Sequence, residues 1–134
     1  AGYGVTVVDP REVFIVAERF PGIECVMGWP DEIMPTLKLD ERTAVVTLTH
    51  DAKIDDTSLK VALASNAFYI ACLGSRRTHS ARCARLSEAE FDTVNLQRLR
   101  GPAGLSIGAL TPAEIAVSIL AEMIAAERMP QLSQ

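Results

Sequence analysis

The sequence predicts an α/β fold in which a parallel β-sheet is covered by helices on both faces. Short apolar segments rich in valine, threonine and isoleucine alternate along the chain with segments that carry helix-start signals. Strands that alternate with helices are joined by right-handed crossovers, which make the strands parallel. Polar or charged residues follow the predicted strands, and in a parallel sheet those residues meet at one edge.

The length and composition are those of one globular domain, residues 1–134. Its 49% apolar and 22% charged residues exclude a disordered chain. The net charge of −4 argues against a protein that coats nucleic acid, and no apolar run approaches the ~18 residues of a membrane span. Cys25, Cys72 and Cys83 lack the spacing of metal ligands, which predicts reduced thiols in a cytoplasmic protein.

The first predicted strand, residues 4–9, is a β-branched run that ends at Asp9 and is broken by Pro10. An apolar stretch at residues 13–17 predicts one or two helical turns. The second strand covers residues 23–27, where a weaker apolar run is closed by a tryptophan and a proline.

A helix is predicted at residues 30–38 because a proline and two acidic residues stand at its start. The third strand, residues 43–49, runs directly into His50 and Asp51. A helix at residues 56–66 follows, with leucines and an alanine along one face.

The fourth strand, residues 68–73, is an uninterrupted apolar run, which is typical of a strand buried on both faces. Gly74 ends it, and Ser75 can cap a helix over residues 75–86. Arg76 and Arg77 then stand in the first helical turn, where free N–H groups and the helix dipole attract anions. Arg82 and Arg85 extend this segment into a basic patch.

Two further helices are predicted near the end of the chain. The Ser-Glu-Ala-Glu sequence that begins at Ser87 matches a capping box and predicts a helix at residues 87–98. Thr111, with a proline next and Glu114 at the third helical position, predicts a helix at residues 111–128.

The chain is predicted to lack the first strand of a dinucleotide-binding fold. Such a fold begins with a strand, a glycine-rich turn and a helix, and an acidic residue follows about 20 residues later at the end of the second strand. Asp9 looks like that acidic residue, and residues 1–4 resemble the end of the first helix. We therefore expect another part of the same protein, or a second copy, to fill the gap between the strands at 4–9 and 43–49.

Four segments, in this order along nearly the whole chain, resemble the C-terminal Rossmann-like domain of the XdhC/CoxI family. They are VTVVDPR at 5–11, LTHD at 48–51, YIACLGSRRT at 69–78 and GLSIGALTPAEIAVSI at 104–119. The family consists of accessory proteins of molybdenum hydroxylases such as xanthine dehydrogenase and carbon monoxide dehydrogenase.

The resemblance implies a cytoplasmic maturation factor that acts without a catalytic step of its own. It would bind the molybdenum cofactor, support its sulfuration and deliver it to an apo molybdenum hydroxylase, with a cysteine desulfurase as a further partner. The cofactor is an anionic pterin with a phosphate. The predicted helix start would suit that phosphate, through Gly74, Ser75, Arg76, Arg77 and Thr78.

Other polar residues at the same edge are candidates for the remaining contacts. His50 and Asp51 can hold the pterin by hydrogen bonds, Asp9 can accept from a pterin or a ribose, and Arg11 can meet a phosphate. Each also has a structural alternative: a strand-end turn at Asp9, a loop-capping pair at His50 and Asp51, and solvated arginines after Gly74. A metal site is not predicted, because His50, Asp51, Asp55 and His79 match no ligand spacing.

Two other functions stay open at this point. The Rossmann pattern and Asp9 allow an NAD(P)-binding oxidoreductase domain, although no Tyr-Lys, Cys-His or paired-acid constellation is visible in the sequence. The third interpretation is a module that docks on a partner enzyme and binds no ligand.

Overall fold

The fold is described from a computed structural model, which defines residues 2–11, 22–89 and 91–129. The strands are β1 (Thr6–Asp9), β2 (Glu24–Met27), β3 (Ala44–Thr47), β4 (Tyr69–Cys72) and β5 (Leu99–Arg100). The helices are α1 (Pro30–Ile33), α2 (Ala52–Leu63), α3 (Arg76–Glu88), α4 (Thr93–Leu96) and α5 (Pro112–Arg128), with a 3-10 helix at Met34–Leu37. The helical stretch predicted at residues 13–17 lies outside the described residues.

All strand pairs are parallel, as predicted. β1 pairs with β2 so that Asp9 lies opposite Met27. β4 lies between β3 and β5, and Thr47 at the end of β3 lies opposite Cys72 at the end of β4. The carboxyl ends of β3 and β4 therefore open onto the same edge of the sheet.

The pairs form two separate sheets, one of β1 and β2 and one of β3, β4 and β5. Within the described residues no strand hydrogen-bonds β1 to β3. A gap between these two strands is expected from the sequence, and direct pairing of them would have contradicted that expectation.

β4 is the centre of the core. Its side chains are at most 1% exposed, and successive residues point to opposite faces of the sheet. Ile70 and Cys72 pack beside α2 and α3, whereas Tyr69 and Ala71 pack against α5. The prediction of a strand buried on both faces is confirmed. The larger cluster also includes Leu59, Leu63, Leu86 and Leu99, and the smaller one includes Ile119 and Ala126.

The start of α5 has the predicted capping box. Thr111 accepts a hydrogen bond from the Glu114 N–H (3.1 Å), and the Glu114 carboxylate accepts one from the Thr111 N–H (2.9 Å). A polar contact joins this helix to β4. The Tyr69 hydroxyl donates to Glu122 Oε1 (2.6 Å), which also accepts from the Gly104 N–H (3.1 Å).

A close approach joins the loop after β5 to α3. Gly101 lies against the imidazole of His79, and a Cβ atom at residue 101 would overlap the ring. The same ring has a buried Nδ1 without a hydrogen-bond partner among the described residues. The fit between these two residues thus requires the absence of a side chain at residue 101.

The prediction of a helix at 87–98 is wrong. α3 continues through Ser87 and Glu88, and the Ala89 N–H still bonds to the carbonyls of Arg85 and Leu86. Leu86 is fully buried, so core packing holds the helix past the local start signal. The next helix is the short α4, capped by Asp92, whose side chain accepts from the Asn95 N–H (2.8 Å).

Two smaller corrections concern α2 and β5. α2 begins at Ala52, earlier than the predicted residue 56, because Asp51 caps it by accepting from the Lys53 N–H (3.0 Å). β5 was not predicted. It has two residues, and its place in the sheet depends on parallel pairing with β4, which is distant in the sequence.

Candidate functional site

The segment after β4 forms a capped helix start, as predicted. Gly74 has a φ of 145°, which favours glycine, and it turns the chain from β4 into α3. The Ser75 hydroxyl accepts from the Thr78 N–H (3.1 Å) and lies 3.0 Å from the Thr78 hydroxyl. One of the free N–H groups at the start of α3 is thereby satisfied by the cap.

Arg76 and Arg77 occupy the first two positions of α3, and both side chains are exposed. Their backbone N–H groups have no acceptor among the described residues. The helix start therefore offers two N–H donors, the positive end of the helix dipole and two exposed guanidiniums. This set of groups suits an anion.

The loop between β3 and α2 is organised by Asp55, which is 1% exposed. Its carboxylate accepts from the Thr49 hydroxyl (2.6 Å), from the Thr49 N–H (3.4 Å) and from the His50 N–H (3.2 Å). His50 is held in the left-handed region with a φ of 63°, and its side chain is exposed. Asp51 is half-buried and caps α2. Of His50 and Asp51, only His50 has an exposed side chain.

Asp9, at the end of β1, is buried and bound to Arg11. Its Oδ1 accepts from the Arg11 backbone N–H (2.8 Å) and from Nε (3.0 Å), and its Oδ2 accepts from Nη2 (2.9 Å). Burial alone would raise the pKa of the Asp9 carboxyl, but the hydrogen bonds from Arg11 outweigh it and the pKa is lowered. Asp9 is therefore a carboxylate whose acceptor positions are largely used by a residue of its own loop.

The Asp9–Arg11 pair should make stability sensitive to acid. Because the folded pKa of Asp9 lies below the unfolded value of about 3.9, its contribution is present above that pH and is lost as the pH falls through the folded pKa. We expect Arg11→Met to flatten the fall in stability between about pH 5 and pH 3, measured by urea unfolding. Arg42→Met, at an exposed position, is the control. An unchanged acid slope in Arg11→Met would contradict the assignment.

The β3–α2 loop acts electrostatically on Arg11, which follows β1. Hydrogen bonds with Asp9 raise the pKa of Arg11, and the charges of Asp51 and Asp55 add to the effect. The Leu73 N–H bonds to the Thr47 carbonyl (3.0 Å), which carries the β3–β4 pairing up to Gly74. The structure thus brings the predicted residues to one edge in two groups. One consists of Asp9, Arg11, His50 and Asp51, and the other of Gly74, Ser75, Arg76, Arg77 and Thr78.

The predicted basic patch is divided. Arg85 makes two hydrogen bonds to Asp56 on α2, from Nε to Oδ2 (2.7 Å) and from Nη2 to Oδ1 (3.2 Å). Arg82 is 3% exposed, and its Nε lies 3.8 Å from Asp56 Oδ1. Arg76 and Arg77 are exposed and make no ion pair among the described residues, whereas Arg85 is exposed but paired. The group of unpaired cations is therefore smaller than the sequence indicates.

The three cysteines are unpaired, and Cys72 is buried. Cys83 Sγ lies 3.5 Å from His79 Nε2, a contact that was not predicted from the sequence although the residues are four apart on α3. Burial raises the pKa of Cys83 and lowers that of His79, with Arg82 adding to the lowering at His79. The pair is thus uncharged at neutral pH, unlike an activated thiolate. Among the described residues no three His, Cys, Asp or Glu side chains are arranged to hold a metal ion.

Two open clefts lie along α2. One of about 450 Å³ is lined by Trp29, Lys53, Asp56 and Arg85, among others. The other, of about 550 Å³, lies against the 3-10 helix and the end of α2 and is lined by residues including Met34 and Leu39. Neither cleft is lined by a residue predicted to bind the cofactor.

Two residues of the edge, Asp55 and Arg82, have a larger role than the sequence suggests. A signal was available for each. Asp55 stands four residues after the cap Asp51, where a side chain points back over the helix start. Arg82 stands four residues before the apolar Leu86, so the two side chains share one face of α3.

Comparisons with a family model and with known proteins agree with one another. Residues 1–123 match the family model described as the XdhC Rossmann domain. A protein from Bacillus subtilis (strain 168) that is named as a probable subunit of xanthine dehydrogenase is 31% identical over 92% of this chain. A protein named molybdenum cofactor insertion chaperone PaoD from Escherichia coli (strain K12) is 34% identical over 70% of this chain.

A solved structure agrees with the fold. The crystal structure of a xanthine dehydrogenase from Bacillus halodurans matches 94% of this chain with a TM-score of 0.78 and 29% identity. The chain spans 36% of that structure's chain, 36% of the Bacillus subtilis relative and 29% of the Escherichia coli relative. Among the described residues no helix is long and apolar enough to cross a membrane.

Proposed function

Since the chain belongs to the XdhC family and forms its Rossmann domain, we propose that it handles the molybdenum cofactor as part of an accessory factor. The factor would bind the cofactor, support its sulfuration and insert it into an apo molybdenum hydroxylase such as xanthine dehydrogenase. It would work in the cytoplasm, and a cysteine desulfurase would supply the sulfur.

One observation carries this proposal. The start of α3 and the β3–α2 loop lie at the same carboxyl edge of a parallel sheet, where open α/β folds bind ligands. The first presents N–H donors with Arg76 and Arg77, and the second presents His50. The phosphate of the cofactor would sit on the helix start, and His50 would contact the pterin. A relative that carries the words molybdenum cofactor insertion chaperone in its name supports this choice of ligand.

The NAD(P) alternative has less support from the same geometry. A ribose hydroxyl would be expected to donate to an acidic residue at the end of the strand. Asp9 holds that position, but its carboxylate already accepts three hydrogen bonds from Arg11. Few acceptor positions remain for a sugar.

We also propose that the gap between β1 and β3 is filled by a strand from elsewhere in the same protein or from a second copy. The backbone groups along the facing edges of both strands have no strand partner among the described residues. Such groups are costly to bury without partners, at roughly 1–3 kcal/mol each. A strand in this place would also bring β1 and β3 into one sheet.

Replacing Arg76 and Arg77 together by alanine tests the site. Charge-assisted contacts are worth roughly 1.5–3 kcal/mol each, so we expect cofactor binding to weaken on the order of a hundredfold. Stability should change little because both side chains are exposed. Titration of the purified protein with the molybdenum cofactor, and separately with NAD, measures the effect.

The matched control is Lys53→Ala with Lys60→Ala. It removes two exposed cations from α2 and leaves the start of α3 intact. We expect the control to bind the cofactor as the wild type does. Equal affinities in wild type and in the Arg76/Arg77 variant would remove the anion site from the proposal. Tight NAD binding without cofactor binding would favour the oxidoreductase alternative.

A further inference from the structure

We propose that Arg82 is the buried cation of a phosphate-binding site at the start of α3. The inference rests on the proposed function for the identity of the ligand, which is the phosphate ester of a bound cofactor. It adds a buried charged contact from a residue other than the two exposed arginines.

The first observation is the state of the guanidinium. Arg82 is 3% exposed, and its Nε and Nη1 are buried without hydrogen-bond partners among the described residues. A buried charge without hydrogen bonds destabilises a protein, and arginine cannot relieve the cost by deprotonation. Such a group is expected where a ligand supplies the missing acceptors.

The second observation is the direction in which the Arg82 side chain extends. Side chains on a helix point toward its N-terminus, and Arg82 extends from the middle of α3 to the Gly74 turn. Its Nη1 lies 4.0 Å from the position of a Cβ atom at Gly74. The guanidinium therefore lies beside the turn at which α3 begins.

The third observation concerns Asp56, the nearest carboxylate. Arg82 Nε is 3.8 Å from Asp56 Oδ1, which is an ion-pair distance but too long for a hydrogen bond, whereas Arg85 makes two hydrogen bonds with the same carboxylate. The hydrogen bonds that Asp56 accepts from an arginine therefore come from Arg85, and the contact with Arg82 is a longer ion pair. The other titratable groups around Arg82 are the thiols of Cys72 and Cys83 and the imidazole of His79. None of them accepts a hydrogen bond from the guanidinium, which can shift outward on binding without losing one to them.

The N–H groups of Arg76 and Arg77 complete the site, because they have no acceptor among the described residues and share the helix start. A phosphate there would accept from these two donors and from Arg82 Nη1. The exposed side chains of Arg76 and Arg77 would close over it from the solvent side. The chemical class is a phosphate ester, and inorganic phosphate is its simplest probe.

The test uses the thermal unfolding of the complete purified protein against inorganic phosphate, with chloride holding the ionic strength constant. We expect the wild type to show a saturable rise in Tm. Arg82→Met should have an equal or higher Tm without phosphate, because a methionine fits the site without a buried charge. Its phosphate affinity should fall at least tenfold. Arg42→Met, which removes an exposed arginine, is the control and should behave as the wild type.

Two outcomes would overturn the inference. One is a wild type whose Tm does not respond to phosphate. The other is an Arg82→Met variant that is less stable without phosphate but keeps the wild-type affinity, since this marks a structural role only.

A measurement on the wild type covers the case in which Arg82→Met does not fold. In an NMR titration with phosphate, the Nε–H signal of Arg82 should shift together with the amide signals of Arg76 and Arg77. Shifts of the amides without Arg82 would remove it from the site.

The molybdenum cofactor itself separates this inference from the proposed function. Unchanged cofactor binding in Arg82→Met would leave the proposed function intact and refute the role of Arg82. Phosphate binding through Arg82 in a protein that does not bind the cofactor would refute the proposed function and leave the phosphate-binding role of Arg82 intact.

Discussion

Asp55→Ala is expected to lower the free energy of unfolding by about 3–4 kcal/mol, because a buried carboxylate with several donors is removed. The Thr49 hydroxyl and N–H and the His50 N–H all donate to it. Without Asp55 these donors are left without an acceptor in a part-buried loop. Urea unfolding measures the loss, and the NMR signals of His50 should shift because its left-handed conformation depends on the same contacts.

Asp55→Asn gives a graded comparison. The amide oxygen can still accept from the Thr49 hydroxyl, but the NH₂ group would face the His50 N–H, so the loss should be smaller than for alanine. Asp31→Ala is the matched control, because Asp31 also lies in the first turn of a helix but is exposed. Its effect should stay within about 0.5 kcal/mol. An equal effect of Asp31→Ala and Asp55→Ala would contradict an organising role for Asp55.

Arg98→Ala is expected to cost about 3–5 kcal/mol of stability, since three hydrogen bonds from a charged group are lost. Nη1 donates to the Leu63 carbonyl (2.9 Å), and Nη2 donates to the carbonyls of Ser65 (2.9 Å) and Ala67 (3.0 Å). These carbonyls lie at the end of α2 and in the turn that leads to β4. A cation there also meets the negative end of the helix dipole.

Arg98→Lys separates geometry from charge. A lysine keeps the charge but cannot reproduce the planar fork that reaches three carbonyls, so we expect an intermediate loss. Arg42→Ala removes an exposed arginine and should leave the urea midpoint nearly unchanged. If Arg98→Lys were as stable as the wild type, the charge alone would explain the effect of Arg98.

The parts of the fold that could be predicted are those fixed by short-range sequence. The apolar run ending at Cys72 marked a strand buried on both faces, since no alternation with polar residues interrupts it. Ser75 and Thr111 marked helix starts because a cap acts through its own neighbours within three residues. Both hydroxyls make the expected bonds.

The parts that could not be predicted depend on contacts between distant residues. The start signal at Ser87 was overridden by the burial of Leu86 in the core. Arg98 looked like the end of a helix, yet its guanidinium bonds to carbonyls more than 30 residues earlier in the chain. Local patterns carry no information about such partners.

The candidate site shows the same difference between residues marked by local sequence and residues placed by distant contacts. Gly74, Ser75, Arg76 and Arg77 could be identified because an anion-binding helix start is a local motif. The sequence predicts that Arg82 belongs to a basic patch, whereas in the structure its side chain is buried. Its burial follows from the packing of α3 on α2, which brings Asp56 and Arg85 together.

The close fit of Gly101 against His79 limits how these two positions can change during evolution. Any side chain at 101 would have to occupy the volume of the imidazole. A substitution at 101 is therefore viable together with a smaller residue at 79, so the two positions should vary as a pair among related proteins. Their covariation would record a contact between α3 and the loop after β5 that neither position reveals by itself.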